Sequence, residues 1–227
     1  MNQLSGNAVA LWTGGKDSCL ALYEARRLGY QIKGLITFTP SDPQFLAHPL
    51  HVMKYQTEVL QISHDTIEII QPFNEGYKSA LRFLKEQCGV SVVITGDIDE
   101  IRAHPNWVKE CAAFVGIEVV TPLWKRNRKE LLEKLIANKF KIIFSCVKRP
   151  WFSDSWLGCD LDTKAAERLY EISEETGMDL CGENGEYHTT VLDCPLFKRT
   201  IVLNDFSKET KDSMIYLKVK KLSLVNK

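Results

Sequence analysis

Two short runs in this 227-residue chain carry side chains that can do chemistry, and they lie far apart in the sequence. The first is Thr13-Gly14-Gly15-Lys16-Asp17-Ser18, which follows the apolar run 8–12 and leads into the helical pattern beginning at Cys19-Leu20-Ala21-Leu22. A glycine pair lets the backbone adopt φ > 0 and approach a ligand closely. A helix that starts near Asp17 aims its unpaired N–H groups and the positive end of its dipole back at the loop. With the mobile charge of Lys16 this makes an anion site of the phosphate type. Asp17 is out of place in such a cradle, so it either caps the helix or holds a Mg²⁺ that bridges the phosphates. The spacing matches neither G-x-x-x-x-G-K-[ST] nor G-x-G-x-x-G. The plainer alternative is a strand–turn–helix in which the glycines only make the turn.

The second run is Gly182-Glu183-Asn184-Gly185-Glu186-Tyr187-His188-Thr189. It sets two carboxylates and an imidazole on an irregular, glycine-broken backbone, where side chains can converge instead of alternating. Glu183 and Glu186 can serve as a general base, hold Mg²⁺ or hold an amine, and His188 can move a proton near neutral pH. As an isolated string it reads equally well as a polar turn entering the strand that begins at Thr190.

The elements that must position these groups alternate through the first half. Strand patterns cover 8–12, 32–38, 66–70, 91–95 and 117–120, with helical patterns over 20–28, 53–62, 75–88 and 106–115. This order predicts an α/β fold with a five-stranded, doubly wound parallel sheet and right-handed crossovers. Ligands of such sheets sit at the carboxyl ends of the strands. The loop after the first strand, and Gly96-Asp97 after the fourth, are both at that edge. After Pro122-Leu123-Trp124 the pattern becomes α+β, with helices over 128–140 and 164–176, a strand over 141–148 and three apolar segments from Thr190 onward. We therefore expect a nucleotide-binding domain over 1–122 and a smaller acceptor-binding region over 123–227.

Composition narrows the class. Hydrophobic residues make up 44% and charged residues 26%, as in a globular protein, and 29 basic residues balance 29 acidic ones. No global charge draws nucleic acid or an anionic membrane. No apolar run nears the roughly 20 residues needed to cross a bilayer, and the first residues lack the character of a signal peptide. Seven scattered cysteines, never in C-x-x-C spacing, fit neither a disulfide framework nor a zinc site. The expected location is the cytoplasm. Most tryptophans read as packing residues, and His48 and His51 read as members of a solvated loop.

Taken in order, G-G-K-D-S near residue 15, G-D-I near 97, P-L-W near 123 and G-E-N-G-E-Y-H-T near 185 resemble the diphthine–ammonia ligase family, a branch of the N-type ATP pyrophosphatases. The resemblance runs over about 8–203, and its most specific mark is the last motif with Leu192-Asp193-Cys194-Pro195-Leu196-Phe197. It implies an adenine nucleotide alpha hydrolase-like, Rossmann-like fold with an appended C-terminal region. It implies ATP and Mg²⁺, adenylation of an acceptor carboxylate, release of pyrophosphate and attack by ammonia. Thr13, Gly14, Gly15, Lys16, Asp17 and Ser18 would cradle the pyrophosphate, with Thr13 in place of the usual serine. Phe38 and Thr39 would meet the adenine, and Gly96 and Asp97 the ribose or the metal. Asp17 and Asp97 are the metal candidates. Lys16, Asp17, Glu183, Glu186 and His188 are the catalytic candidates, the last three facing the acceptor or ammonia. Where the source makes diphthamide, the acceptor is diphthine on a translation elongation factor; a homodimer is left open. The chain departs from the diphthamide-forming pattern at Asn184, where glycine is usual, and at His188, where glutamate is usual. It also departs over 99–108 and at Cys159. Two other readings stay open: a related pyrophosphatase with another acceptor or nucleophile, and a non-catalytic nucleotide sensor.

Overall fold

A computed structural model describes residues 4–43, 45–100 and 106–227. In chain order the elements are β1 (Leu4–Leu11), α1 (Lys16–Arg27), β2 (Tyr30–Thr39), α2 (Leu50–Leu60), β3 (Ser63–Glu68), α3 (Phe73–Cys88), β4 (Val92–Ile94), α4 (Trp107–Val115) and β5 (Glu118–Val120). They continue with α5 (Arg128–Ala137), β6 (Lys141–Lys148), α6 (Thr163–Thr176), β7 (Tyr187–Asp193), β8 (Arg199–Lys211) and β9 (Met214–Asn226). Of the unusual stretch 99–108, residues 101–105 lie outside the described residues.

The chain packs as two compact units. The first comprises the described residues of Met1–Thr13, Asp17–Gln44 and Ile62–Lys125. Its five-stranded sheet has the order β3-β2-β1-β4-β5, with every neighbouring pair parallel. Ala8, Val9 and Ala10 of β1 are all buried, as expected of a central parallel strand covered on both faces. On one face Val9, Ile36 and Val93 meet Leu81 and Leu84 of α3 and Val108 and Ala112 of α4. Along α3, Tyr77, Leu81 and Leu84 face this contact, with Leu81 and Leu84 buried and Tyr77 half-buried. β1 and β4 are neighbours in space although β2 and β3 intervene in sequence. The loops leaving them therefore flank the point where strand order reverses, the usual ligand crevice of such sheets.

The second unit comprises Gly14–Lys16, Phe45–Gln61 and Arg126–Lys227. Its antiparallel sheet has the order β7-β6-β9-β8, and β8 and β9 form a long hairpin. The last apolar segments of the sequence are thus sheet strands, and the hairpin is longer than their hydrophobic runs suggest. Two helices start on side-chain caps. Asn127 accepts from the N–H groups of Lys129 and Glu130 at the head of α5, and Asp162 accepts from that of Ala165 at the head of α6. The helix α2, which follows β2 in sequence, belongs to this unit and lays its buried face of Val52, Met53, Gln56, Val59 and Leu60 inward. Among the described residues no helix is long and apolar enough to cross a membrane.

Candidate active site

Within the first unit, the end of β1 is fastened to β2. The Trp12 N–H donates to the Ile36 carbonyl at 2.8 Å, and the Thr37 hydroxyl donates to the Trp12 carbonyl at 2.6 Å. Thr13 Oγ1 then donates to Ser18 Oγ at 3.2 Å, across the mouth of the loop. Gly96 packs against the first turn of α1 so tightly that an added Cβ would lie 2.7 Å from the Asp17 carbonyl carbon and the Ser18 nitrogen. Only glycine allows this approach, which sets the start of α1 beside the end of β4. Asp97 follows directly. Its Oδ2 accepts from the Thr95 hydroxyl at 2.5 Å and from Asn106 Nδ2 at 3.0 Å, and Asn106 Oδ1 in turn caps α4 by accepting from Lys109 N. Both bonds fall on one oxygen, so Oδ1 has no hydrogen-bond partner among the described residues. Phe38 joins an aromatic cluster that sequence reading missed. Its ring meets Tyr77 at 5.5 Å between centroids, and Tyr77 lies against Trp107 at 3.9 Å. Thr39 is buried.

Within the second unit, the crest of the glycine loop runs beside β7. Gly14 has φ +75°, and its carbonyl accepts from the Val191 N–H at 3.1 Å. The same carbonyl accepts from Gln56 Nε2 at 2.8 Å, and Gln56 Nε2 also donates to the Val191 carbonyl at 2.9 Å. The backbone N–H of Lys16 donates to Thr189 Oγ1 at 3.1 Å. Its side chain is buried, with Nζ donating to the Cys181 carbonyl at 2.5 Å and lying 5.2 Å from the centroid of the Tyr187 ring. Lys16 therefore bonds residues that flank the Glu183–His188 stretch on both sides.

That stretch is organised from inside. Glu186 is buried and accepts from the Asp179 N–H on Oε1 at 2.9 Å and from the Asn184 N–H on Oε2 at 3.0 Å. Asp179, paired with Arg128 at 3.2 Å, accepts from the Cys181 N–H at 2.8 Å, and the Tyr187 hydroxyl donates to the Leu180 carbonyl at 2.8 Å. Glu183 is half-exposed. His188 stands edge-on to His48, with ring centroids 5.2 Å apart at 83°. The expectation of a solvated loop fails at His48. Its Nδ1 is buried and without a hydrogen-bond partner among the described residues. Burial, reinforced by His188 and the Lys16 charge, pushes its pKa down to about 3. Burial and then Lys16 push His188 down to about 4, against the opposing pull of Glu186. Both rings are neutral at physiological pH.

Gln56 and Asp179 escaped the sequence reading, and His48 and Trp107 were read only as a loop residue and a packing residue. Gln56 left a trace, as a polar residue on the apolar stripe of α2. The burial of His48 left none, because its loop has no periodicity.

The family model for the diphthamide synthase N-terminal domain matches residues 6–119, and that for the C-terminal domain matches 127–225. The chain is 29% identical to the diphthine–ammonia ligase of Mus musculus, covering 96% of this chain and 92% of that one. It is 29% identical to the diphthine–ammonia ligase of Homo sapiens, covering 86% and 82%. A solved structure described as a predicted subunit of tRNA methyltransferase from Methanocaldococcus jannaschii is 19% identical, with a TM-score of 0.46, covering 83% of this chain and 98% of that one. The two family models together span nearly the whole chain, one over the strand that launches the glycine loop and the other over the acidic motif, and the chain belongs to the diphthamide synthase family.

Proposed function

We propose that this protein is an ATP-dependent, amide-forming ligase of the diphthine–ammonia type. An acceptor carboxylate attacks the α-phosphate of ATP, giving an acyl-adenylate and pyrophosphate. Ammonia then attacks the acyl carbon and expels AMP, leaving the amide. The observation that carries this reading is the seating of Lys16. Its backbone bonds Thr189 and its ammonium bonds the Cys181 carbonyl, so the cation of the phosphate loop and the Glu183–His188 motif belong to one packed body.

In this reading residues 1–122 bind the nucleotide and 123–227 the acceptor. Thr13, Gly14, Gly15, Lys16 and Ser18 hold the departing pyrophosphate, stabilising charge as it develops. Phe38 and Thr39 meet the adenine, and the half-buried rings of Phe38, Tyr77 and Trp107 offer it an apolar stacking surface. Gly96 serves by close packing on the start of α1. A Mg²⁺, when bound, supplies positive charge to the phosphates. Asp17 and Asp97 would hold it, and Asp97 Oδ1, which has no hydrogen-bond partner among the described residues, suits a hard cation. Glu186 shapes the acceptor loop from inside, while Glu183 and His188 face the acceptor or ammonia. The acceptor is diphthine on a translation elongation factor, and the protein works in the cytoplasm, a reducing setting that fits its seven free cysteines.

The test is to incubate the protein with ATP labelled at the α and γ positions, Mg²⁺, ammonium and a diphthine-bearing elongation factor. AMP, pyrophosphate and an amidated factor are the expected products. ADP and phosphate would overturn the reading, and AMP without amidation would remove diphthine as the acceptor.

A further inference from the structure

Gln56 is fully buried on the inward face of α2, far in sequence from both motifs. Burying a carboxamide is costly unless its hydrogen bonds are made. Here the amide nitrogen spends both protons on backbone carbonyls, those of Gly14 in the glycine loop and Val191 in β7. The Gly14 carbonyl thus receives two donors, Gln56 Nε2 and the Val191 N–H. The fit leaves no slack, because a Cβ on Gly14 would lie 2.2 Å from Gln56 Oε1.

This clamp has a consequence for an anion. A carbonyl oxygen turned into a phosphate cradle repels the ligand. The Gly14 carbonyl and the Gly15 N–H belong to one trans peptide unit and point in opposite directions. Holding the carbonyl against Gln56 therefore fixes the direction of the Gly15 N–H, away from the clamp. The same glutamine ties this peptide to β7, two residues beyond Thr189, which itself accepts from Lys16 N. A flipped peptide would leave two buried donors and a buried acceptor unsatisfied.

We propose that Gln56 is a positioning residue for phosphoryl binding, holding the Gly14–Gly15 peptide with its carbonyl turned away from the anion. The inference rests on the reading of the loop as a pyrophosphate site. It does not depend on which acceptor is used.

Inorganic pyrophosphate with Mg²⁺ is the probe, and calorimetric titration of the full chain gives its Kd. Gln56→Met keeps the length and removes both donors, and should weaken pyrophosphate binding about tenfold, or about 1.4 kcal/mol. Gln56→Glu keeps the shape but sets a carboxylate against two carbonyls. It should bind more weakly still at about pH 8, and recover part of the loss towards about pH 6 as the buried carboxyl, its pKa raised by desolvation, regains a proton to donate. That pH-dependent recovery occurs within one folded protein, so it answers the question even if Gln56→Met fails to fold. In turnover the same variants should raise KM for ATP more than they lower kcat. A purely structural role would lower Tm and leave Kd unmoved and without the pH dependence, and that result overturns the inference. Absence of pyrophosphate binding by the wild type would overturn the pyrophosphate reading itself, and the inference with it.

Discussion

At the scale of single residues, Asp17 and Lys16 are neighbours in sequence with opposite duties. Asp17 is half-buried in the first turn of α1, where a carboxylate is favoured by the helix dipole. Asp17→Asn keeps the shape and removes the charge. It should lower AMP formation by about a hundredfold or more, the scale of losing one preorganised charge contact; wild-type turnover would remove Asp17 from the mechanism. The types and order of the loop residues were legible because the loop is one short, continuous run. The partners of Lys16 were not. Cys181, Tyr187 and Thr189 reach it only through tertiary packing, and nothing in a string of residues marks that contact.

At the scale of elements, the loop depends on what flanks it. Gly14→Ala places a Cβ on a residue at φ +75° and drives it into Gln56. The left-handed backbone alone should cost about 1–2 kcal/mol. The displaced clamp should also abolish pyrophosphate binding, which calorimetry would read; a folded Gly14→Ala that binds normally would show that the loop tolerates a shift. Leu81 tests the sheet–helix layer of the first unit. It is fully buried between α3 and the sheet, so Leu81→Ala should lower stability by about 2–5 kcal/mol, read as a shift in urea midpoint without a change in the products of turnover. The elements themselves were readable, because burial on both faces or on one stripe writes periodicity into the sequence. Helix starts were readable where a side chain caps them, as at Asn127 and Asp162. The membership of α2 was not. It follows β2 in sequence, yet its buried face packs in the second unit.

At the scale of the whole molecule, the two neutral imidazoles set a pH dependence of stability. His48 titrates near 3 and His188 near 4 when folded, against 6.5 for an ordinary histidine. Between those limits the unfolded chain binds protons that the folded chain does not. Their stabilising effect is complete above about pH 6.5 and is lost as the pH falls, with a limiting slope of about 1.4 kcal/mol per pH unit for each ring. The urea midpoint of the wild type should therefore drop on acidification from about pH 6.5 to about pH 4, and His48→Gln with His188→Gln should flatten that drop. An acid limb unchanged in the double variant would show that other groups control it.

The sequence by itself determined the parallel sheet, the glycine loop after its first strand, the acidic motif before β7 and the family, because each is written in local residue order or in the period of burial. The tertiary structure alone decided the company these groups keep. It buried Lys16 against Cys181 and Tyr187, set Gln56 on the Gly14 carbonyl, turned Glu186 inward and paired His48 with His188. The physical reason is that a hydrogen bond or ring contact between distant segments constrains geometry without imposing any spacing on the chain.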